Sequence, residues 1–320
     1  MNEMMIFTML GLLESGKTTL IKEVLQEEIA QMGGKTLILV CEEGEEEFDK
    51  EELAQAGAVA EYIEDEESFE IGVVKKFMKK HRPDQIVIEY NGMWKVERLY
   101  DLYEGIEELL FDRQVMMQVI DVVDDTTFSV FVKNMGPIMV EQFKAADLII
   151  VNRCTVEKTN KLAVRGTIKA VNPRAQIAYE SKDEAFYQMP EQLPYDINAD
   201  VIEIGDEDFG LWHIDMIDHQ ESYEGKTVKV KGLIRKSPKL SAQQAVFGRH
   251  AMTCCADDVQ FMGFLCYTDD FSRIADNSYV TITARIEFKY MKEYGDVGPV
   301  FFADEVVPAE KPADEMVYFN

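Results

Sequence analysis

Gly11-Leu12-Leu13-Glu14-Ser15-Gly16-Lys17-Thr18-Thr19 has the spacing G-x-x-x-x-G-K-[ST], with a strand pattern before it and a helical pattern after it. Two glycines so placed let the backbone turn tightly enough for successive N–H groups to converge on phosphate oxygens. The dipole of the following helix adds positive potential at the same point. Lys17 would bridge β- and γ-phosphate oxygens, and the Thr18 hydroxyl is a natural Mg²⁺ ligand. Gly11, Glu14, Ser15, Gly16, Lys17, Thr18 and Thr19 are therefore the expected nucleotide-binding residues. Glu14 is out of character, because a carboxylate inside an anion cradle is repelled unless it points outward or meets a metal or a partner.

Such a loop needs a carboxylate at the end of a neighbouring strand to hold Mg²⁺ or its water, and Glu89 closes the apolar run Ile86-Val87-Ile88. Shortly after it, Gly92 lets a backbone N–H approach the γ-phosphate. Catalysis in a site of this kind is positioning and charge stabilisation, so Lys17 and Glu89 are the expected catalytic residues and no covalent nucleophile is required. Base readout belongs at a later strand end, where Ile149-Ile150-Val151 runs into Asn152-Arg153-Cys154-Thr155. Asn152 and Arg153 are expected at the nucleotide, with Arg153 stacking on the base. Thr155 stands where N-K-x-D proteins place a bidentate carboxylate for guanine, which removes on the order of a few kcal/mol of guanine preference. GTP is the expected nucleotide and ATP the alternative.

The elements that must hold these residues follow from periodicity. Apolar runs at 4–10, 36–41, 85–90, 115–122, 148–152 and 176–179 read as strands, and amphipathic stretches at 17–32, 69–81, 94–110, 126–146 and 156–171 as helices. Strands separated by helices of that length imply βαβ crossovers, hence a mostly parallel sheet covered on both faces. Beyond residue 200 the texture becomes apolar-polar alternation at 227–234, 245–252, 260–267, 279–288 and 300–307, with turns at Glu224-Gly225, Asp276-Asn277 and Gly295-Asp296. Five or six short strands so spaced suggest a small all-β barrel of the OB type. The expected organisation is an α/β P-loop domain over 1–180, a linker over 181–198 and the barrel over 199–320.

Composition narrows the chemistry. The 320 residues carry 60 acidic and 33 basic side chains, a net charge of −27, and 47% are apolar. There is ample material for a core, and no basic cluster for phosphate backbones, so a nucleic-acid partner is not expected. Residues 42–70 hold 14 acidic side chains and only Lys50 as a base, and this stretch follows a predicted strand end. It is either a solvated acidic face or a segment that needs Mg²⁺, a hard metal or a basic partner when it orders. The N-terminal apolar run has no basic residue before it and no run reaches the roughly 18 residues of a bilayer span. Five cysteines without framework spacing fit a reducing, cytoplasmic setting.

At these residues the first 180 positions resemble the CobW/HypB/UreG family of P-loop GTPases, in its CobW branch. The resemblance runs through the phosphate loop, Cys41-Glu42-Glu43-Gly44 with Asp49 after it, Glu89-Tyr90-Asn91-Gly92, Asp121, the string Gln142 to Asp147, and Asn152 to Thr155. It implies nucleotide-driven delivery or insertion of a transition metal, with Glu42 and Glu89 near the Mg²⁺. One departure is marked: Gly57-Ala58-Val59-Ala60-Glu61 stands where the family has a G-C-x-C-C metal motif, which leaves Cys41 as the nearby thiol. The last hundred residues resemble the YcgQ-like proteins that accompany a predicted membrane permease, through Tyr223 to Gly232 and Arg249 to Ala256.

Cys254 and Cys255 are adjacent, with His250 four residues before and Cys266 eleven after, the makings of an N/S site for Zn²⁺. Both thiols reach one ion only from a turn or bulge, because strand neighbours face opposite ways. The alternative is two cysteines packed on either side of a barrel wall. His213 and His219 are expected at the surface. The sequence thus points to a nucleotide-dependent switch, or metallochaperone-like GTPase, in metal homeostasis, with a transition-metal ion and a permease or metal-acceptor protein as partners. The other reading is a non-hydrolysing nucleotide-binding regulatory subunit that docks a membrane permease.

Overall fold

Alternate residues of single strands divide between two apolar clusters in the N-terminal half of the computed structural model. Leu37 and Leu39 join one cluster with Ile86 and Ile88, while Ile38 and Val40 join the other with Val87. That division requires a sheet covered on both faces, as a continuous apolar run in a parallel strand implies. The structure describes residues 3–25, 33–44, 46–252, 259–292 and 294–319. Tertiary contacts divide the chain into one unit of Met1–Thr159 with Asn172–Met189 and a second of Asn160–Val171 with Pro190–Asn320.

In the first unit β1 (Glu3–Leu10), α1 (Lys17–Val24), β2 (Thr36–Val40), α2 (Lys50–Gln55), β3 (Ala58–Tyr62), α3 (Ile71–His81), β4 (Gln85–Glu89), α4 (Glu97–Leu109), β5 (Gln114–Asp124), α5 (Asp125–Ala145) and β6 (Leu148–Asn152) follow in order. The chain then makes α6 (Lys161–Val171), which belongs to the second unit, and returns for β7 (Gln176–Tyr179) and α7 (Glu184–Gln188). The sheet order is β3-β2-β4-β1-β5-β6-β7, and every pairing is parallel. β1 lies between β4 and β5, so the loop after it opens where the ends of those two strands also open.

Local chemistry sets the element ends. Asp49 caps α2 by accepting from the Glu51 and Glu52 amides, and Asp124 caps α5 by accepting from Thr126 N at 2.8 Å. Arg82 ends α3 in the left-handed region. α5 carries Pro137, and its helical geometry breaks at Met135, as a ring without an N–H requires.

The second unit adds β8 (Val201–Glu203), α8 (Phe209–Asp218), α9 (Gln220–Tyr223), β9 (Thr227–Arg235), β10 (Gln244–Ala251), β11 (Gln260–Tyr267), β12 (Ser278–Met291), β13 (Asp296–Pro308) and β14 (Met316–Val317). β9 pairs with β10, β10 with β11, β11 with β13 in parallel, β13 with β12, and β12 back to β9. This closed five-strand circuit is the OB barrel that the alternation predicts. Gly225, Asn277 and Gly295 take positive φ at three of its turns. β8 and β14 extend it as parallel neighbours of β9 and β10. Phe209, Trp212, Tyr223, Phe247 and Phe301 fill the core.

Three elements depart from the sequence reading. β3 falls on the segment aligned above with a metal motif, and it is a half-exposed edge strand. α7 interrupts the stretch expected as a linker. α8 extends the helix-like stretch between His213 and His219 back to Phe209, in a domain otherwise read as strands. Six of its ten residues are buried, so its pattern has no polar stripe to betray a 3.6-residue period.

Candidate functional site

The loop between β1 and α1 is built from left-handed backbone. Gly11, Glu14 and Gly16 have φ of 131°, 64° and 106°. A Cβ on Gly11 would strike the Val122 carbonyl, so close approach requires glycine there, and Gly16 is required by its positive φ. Glu14 answers its sequence anomaly: it is exposed, and its backbone rather than its carboxylate serves the loop. A non-glycine residue there stores on the order of 1 kcal/mol of strain.

Lys17 is 4% exposed, and its ammonium group donates to Gly11 O at 2.7 Å, Leu12 O at 3.0 Å and Glu42 Oε2 at 2.7 Å. The other Glu42 oxygen accepts from Gly92 N at 3.3 Å. Thr18 donates its hydroxyl proton to Glu89 Oε1. Burial raises the Glu89 carboxyl above its ordinary range, with the Thr18 hydrogen bond and the Lys17 charge opposing and Glu42 adding to the rise. Gly92 is held hard against the loop, since a Cβ there would come within 2.8 Å of Leu12 Cα. Its carbonyl accepts from Gln142 Nε2 at 2.9 Å. Lys17, Thr18, Glu42, Glu89 and Gln142 border a cavity of about 470 Å³ whose far wall is Val122, Val123, Phe128, Phe131 and Met139.

Asn152 and Arg153 reach the loop as well. Asn152 Nδ2 donates to Ser15 O at 3.2 Å, and the Arg153 guanidinium donates to Glu14 O at 2.8 Å and to Asp124. In this state both therefore brace the phosphate loop. Thr155 donates its N–H to Thr159 Oγ1 at 2.9 Å, and its own hydroxyl is buried without a partner.

Sequence reasoning left three residues unassigned. Gln142 fixes Gly92, and Asp124 links the α5 cap to Arg153. Asp121, three residues before the end of β5, is fully buried with neither carboxyl oxygen accepting a side-chain hydrogen bond. Burial pushes its carboxyl up to about 7, with Lys17 pulling the other way. The Asp-Asp-Thr-Thr string carries an N-cap signal that could have found Asp124. The resemblance runs through Asp121 and Gln142 without giving either a role at the loop.

The thiol readings fare differently. Cys41 is 3% exposed in an apolar cluster, and burial, Glu89 and Glu42 all hold its thiol far above the usual range, which disfavours the thiolate a soft metal needs. Cys254 and Cys255 lie outside the described residues. Their expected companions cannot share one ion, because His250 pairs with Phe261 and Cys266 with Ala245 along the same ladder. That separation of five residues spans roughly 16 Å of strand. His250 Nε2 meets Arg235 at 2.8 Å, and Cys266 is fully buried in the barrel core. His213 is not a free surface residue: it stacks on Phe264 at 4.9 Å, and burial lowers its pKa to about 3. Among the described residues no group of three or more His, Cys, Asp or Glu side chains could hold a metal ion. No described helix is long and apolar enough to cross a membrane.

An all-parallel sheet, a G-x-x-x-x-G-K-T loop on its central strand and a carboxylate on the next strand end define a P-loop nucleotide-binding protein. The profile of the CobW/HypB/UreG nucleotide-binding domain matches residues 5–179, and the chain belongs to that family. The DUF1980 C-terminal domain follows at residues 179–319. Among solved structures, the chain is similar to the hydrogenase maturation factor HypB from Archaeoglobus fulgidus, at 24% identity over 56% of this chain and 81% of that one, with a TM-score of 0.39. It is also similar to the Zn(II)-bound YjiA GTPase from E. coli, at 14% identity over 88% and 93% of the two chains, with a TM-score of 0.43. None of the curated proteins compared with the chain matches it.

Proposed function

We propose that the chain is a GTP-dependent switch of the metal-delivery kind, which binds Mg-nucleotide at the Gly11–Thr19 loop and hydrolyses it slowly. One observation carries this reading: Lys17, Thr18, Glu42 and Glu89, drawn from three separate strand ends, converge on one cavity, and the Gly92 amide is tied to it through Glu42. The oxygen-only set of Thr18 and Glu89 suits Mg²⁺, which takes one or two carboxylates and completes its shell from phosphate and water. A buried carboxylate whose pKa is raised by desolvation is a group that a cation would stabilise. When bound, Mg²⁺ neutralises charge on the phosphates. Lys17 holds the β- and γ-phosphate oxygens, Glu89 positions the attacking water or the ion's outer shell, and Gly92 N marks the γ-position. Asn152 and Arg153 frame the base, with ATP as the competing ligand because Thr155 offers no carboxylate.

Isothermal titration with Mg-GTP and Mg-ATP tests the reading. Binding of one of them by the wild-type chain, and loss of that binding in Lys17→Ala, is expected; binding of neither overturns it. The missing thiolates after β2 favour a second reading, a nucleotide-binding regulatory subunit for a permease that does not hydrolyse its ligand. Single-turnover phosphate release with and without Zn²⁺ separates the two, since metal-stimulated release is incompatible with the second.

A further inference from the structure

The Glu42 carboxylate sits between two donors that a γ-phosphoryl group needs. One oxygen takes the Lys17 ammonium at 2.7 Å and the other takes Gly92 N at 3.3 Å. Both donors are fixed. Lys17 spends its remaining protons on two loop carbonyls, and Gly92 is wedged between the loop and the Gln142 amide. The ion pair is secluded, with side-chain exposures of 3% and 10%. A carboxylate and a phosphoryl group cannot share these donors, because two anions at such a distance repel strongly where water is scarce.

We propose that Glu42 is an internal stand-in for the γ-phosphate and the residue by which this chain tells triphosphate from diphosphate. This inference rests on nucleotide binding at the Gly11–Thr19 loop. A diphosphate leaves Glu42 seated on Lys17 and Gly92. A triphosphate expels it, and with it the start of the acidic stretch. The hinge is local: Cys41 N donates to Glu89 O at 2.9 Å and Cys41 O accepts from Asn91 Nδ2 at 3.2 Å, so the residue before Glu42 stays on the sheet. Glu43 and Gly44 after it are exposed, and nothing lies within 4 Å of a Cβ built on Gly44. Because a ligand shifts an equilibrium only by its differential affinity for the two states, the cost of expulsion falls on the triphosphate alone.

The test is calorimetry with GDP and a non-hydrolysable GTP analogue, and with the adenosine pair, on the wild type, Glu42→Gln and Glu42→Ala. Glutamine keeps the volume and offers one acceptor where two donors wait, so it guards against a folding failure in the alanine variant. Both variants should bind the triphosphate analogue about tenfold or more tightly than the wild type, while diphosphate affinity changes less than about threefold. Hydrogen exchange supplies a second readout: peptides spanning 42–56 should exchange faster in Glu42→Ala without nucleotide, and in the wild type only with the triphosphate. Weaker triphosphate binding in both variants would make Glu42 a metal or phosphate support and overturn the proposal. So would an equal change for both nucleotides. Binding of no nucleotide by any of the three proteins would instead overturn the nucleotide reading itself, and the proposal with it.

Discussion

Each unit buries a charged cluster, and the two are finished differently. In the second unit, Arg165 donates to Glu191 at 2.7 Å, Asp215 at 2.7 Å and Asp218 at 2.8 Å. Asp215 also accepts from Tyr223 at 2.6 Å and pairs with His219 at 2.9 Å, so every member is occupied. In the first unit Asp121 is fully buried with no side-chain partner, Glu89 is desolvated with its pKa raised, and Lys17 is closed by a carboxylate from a loop beside an open cavity. Saturated buried charge fixes one conformation, whereas unsaturated buried charge waits for something to complete it.

The largest effect that tests this contrast is Arg165→Ala. It strands three carboxylates and should cost the second unit about 3–5 kcal/mol. Denaturant titration read through Trp212, with Trp94 replaced by Phe, measures it, and a loss below about 1 kcal/mol would remove the structural role of the cluster. Next comes Lys17→Ala, expected to weaken nucleotide binding on the order of 100-fold. Its stability cost should stay below that of Arg165→Ala, because Glu42 can turn into the cavity.

Asp121→Asn sharpens the comparison by working in the opposite direction. The folded carboxyl is held at about 7 against an ordinary 3.8, so the wild type loses stability as pH rises between those values and keeps a constant penalty above them. The neutral isostere should match the wild type near pH 4 and exceed it by on the order of 4 kcal/mol at pH 8. An advantage independent of pH would mean that the gain is packing and not charge. The smallest effect is Asp49→Ala, which removes the α2 cap. It should cost about 1 kcal/mol, visible as faster amide exchange confined to residues 50–55.

What could be read without coordinates divides along the same line. The phosphate loop is legible because nine contiguous residues carry both the turn and the chemistry, and the barrel because alternation with positive-φ turns recurs at regular spacing. Glu42 on Lys17 is not legible, since the partners are separated by a strand and a helix, and no periodicity links them. β3 escapes because Ala58-Val59-Ala60-Glu61-Tyr62 is a short edge strand in which Ala58, Ala60 and Glu61 are weak strand formers. Arg165 looks like one more surface base in an amphipathic helix until Asp215 and Asp218 are brought to it from α8. The reach of Gln142 to Gly92 is equally invisible, because it depends on how α5 crosses the strand ends.

The placement of α6 bears on how such a chain can be cut or inherited. The two family profiles meet at residue 179, yet α6 ends at Val171 and belongs to the second unit, with Arg165 bonded to Asp215 and Asp218 of α8. A fragment beginning at residue 180 would leave Asp215 and Asp218 without their arginine, and one ending there would carry Arg165 without its carboxylate partners. The boundary between the two family profiles is therefore not the boundary between the two folded units. Swapping either half between related proteins should succeed only when α6 travels with the barrel it completes.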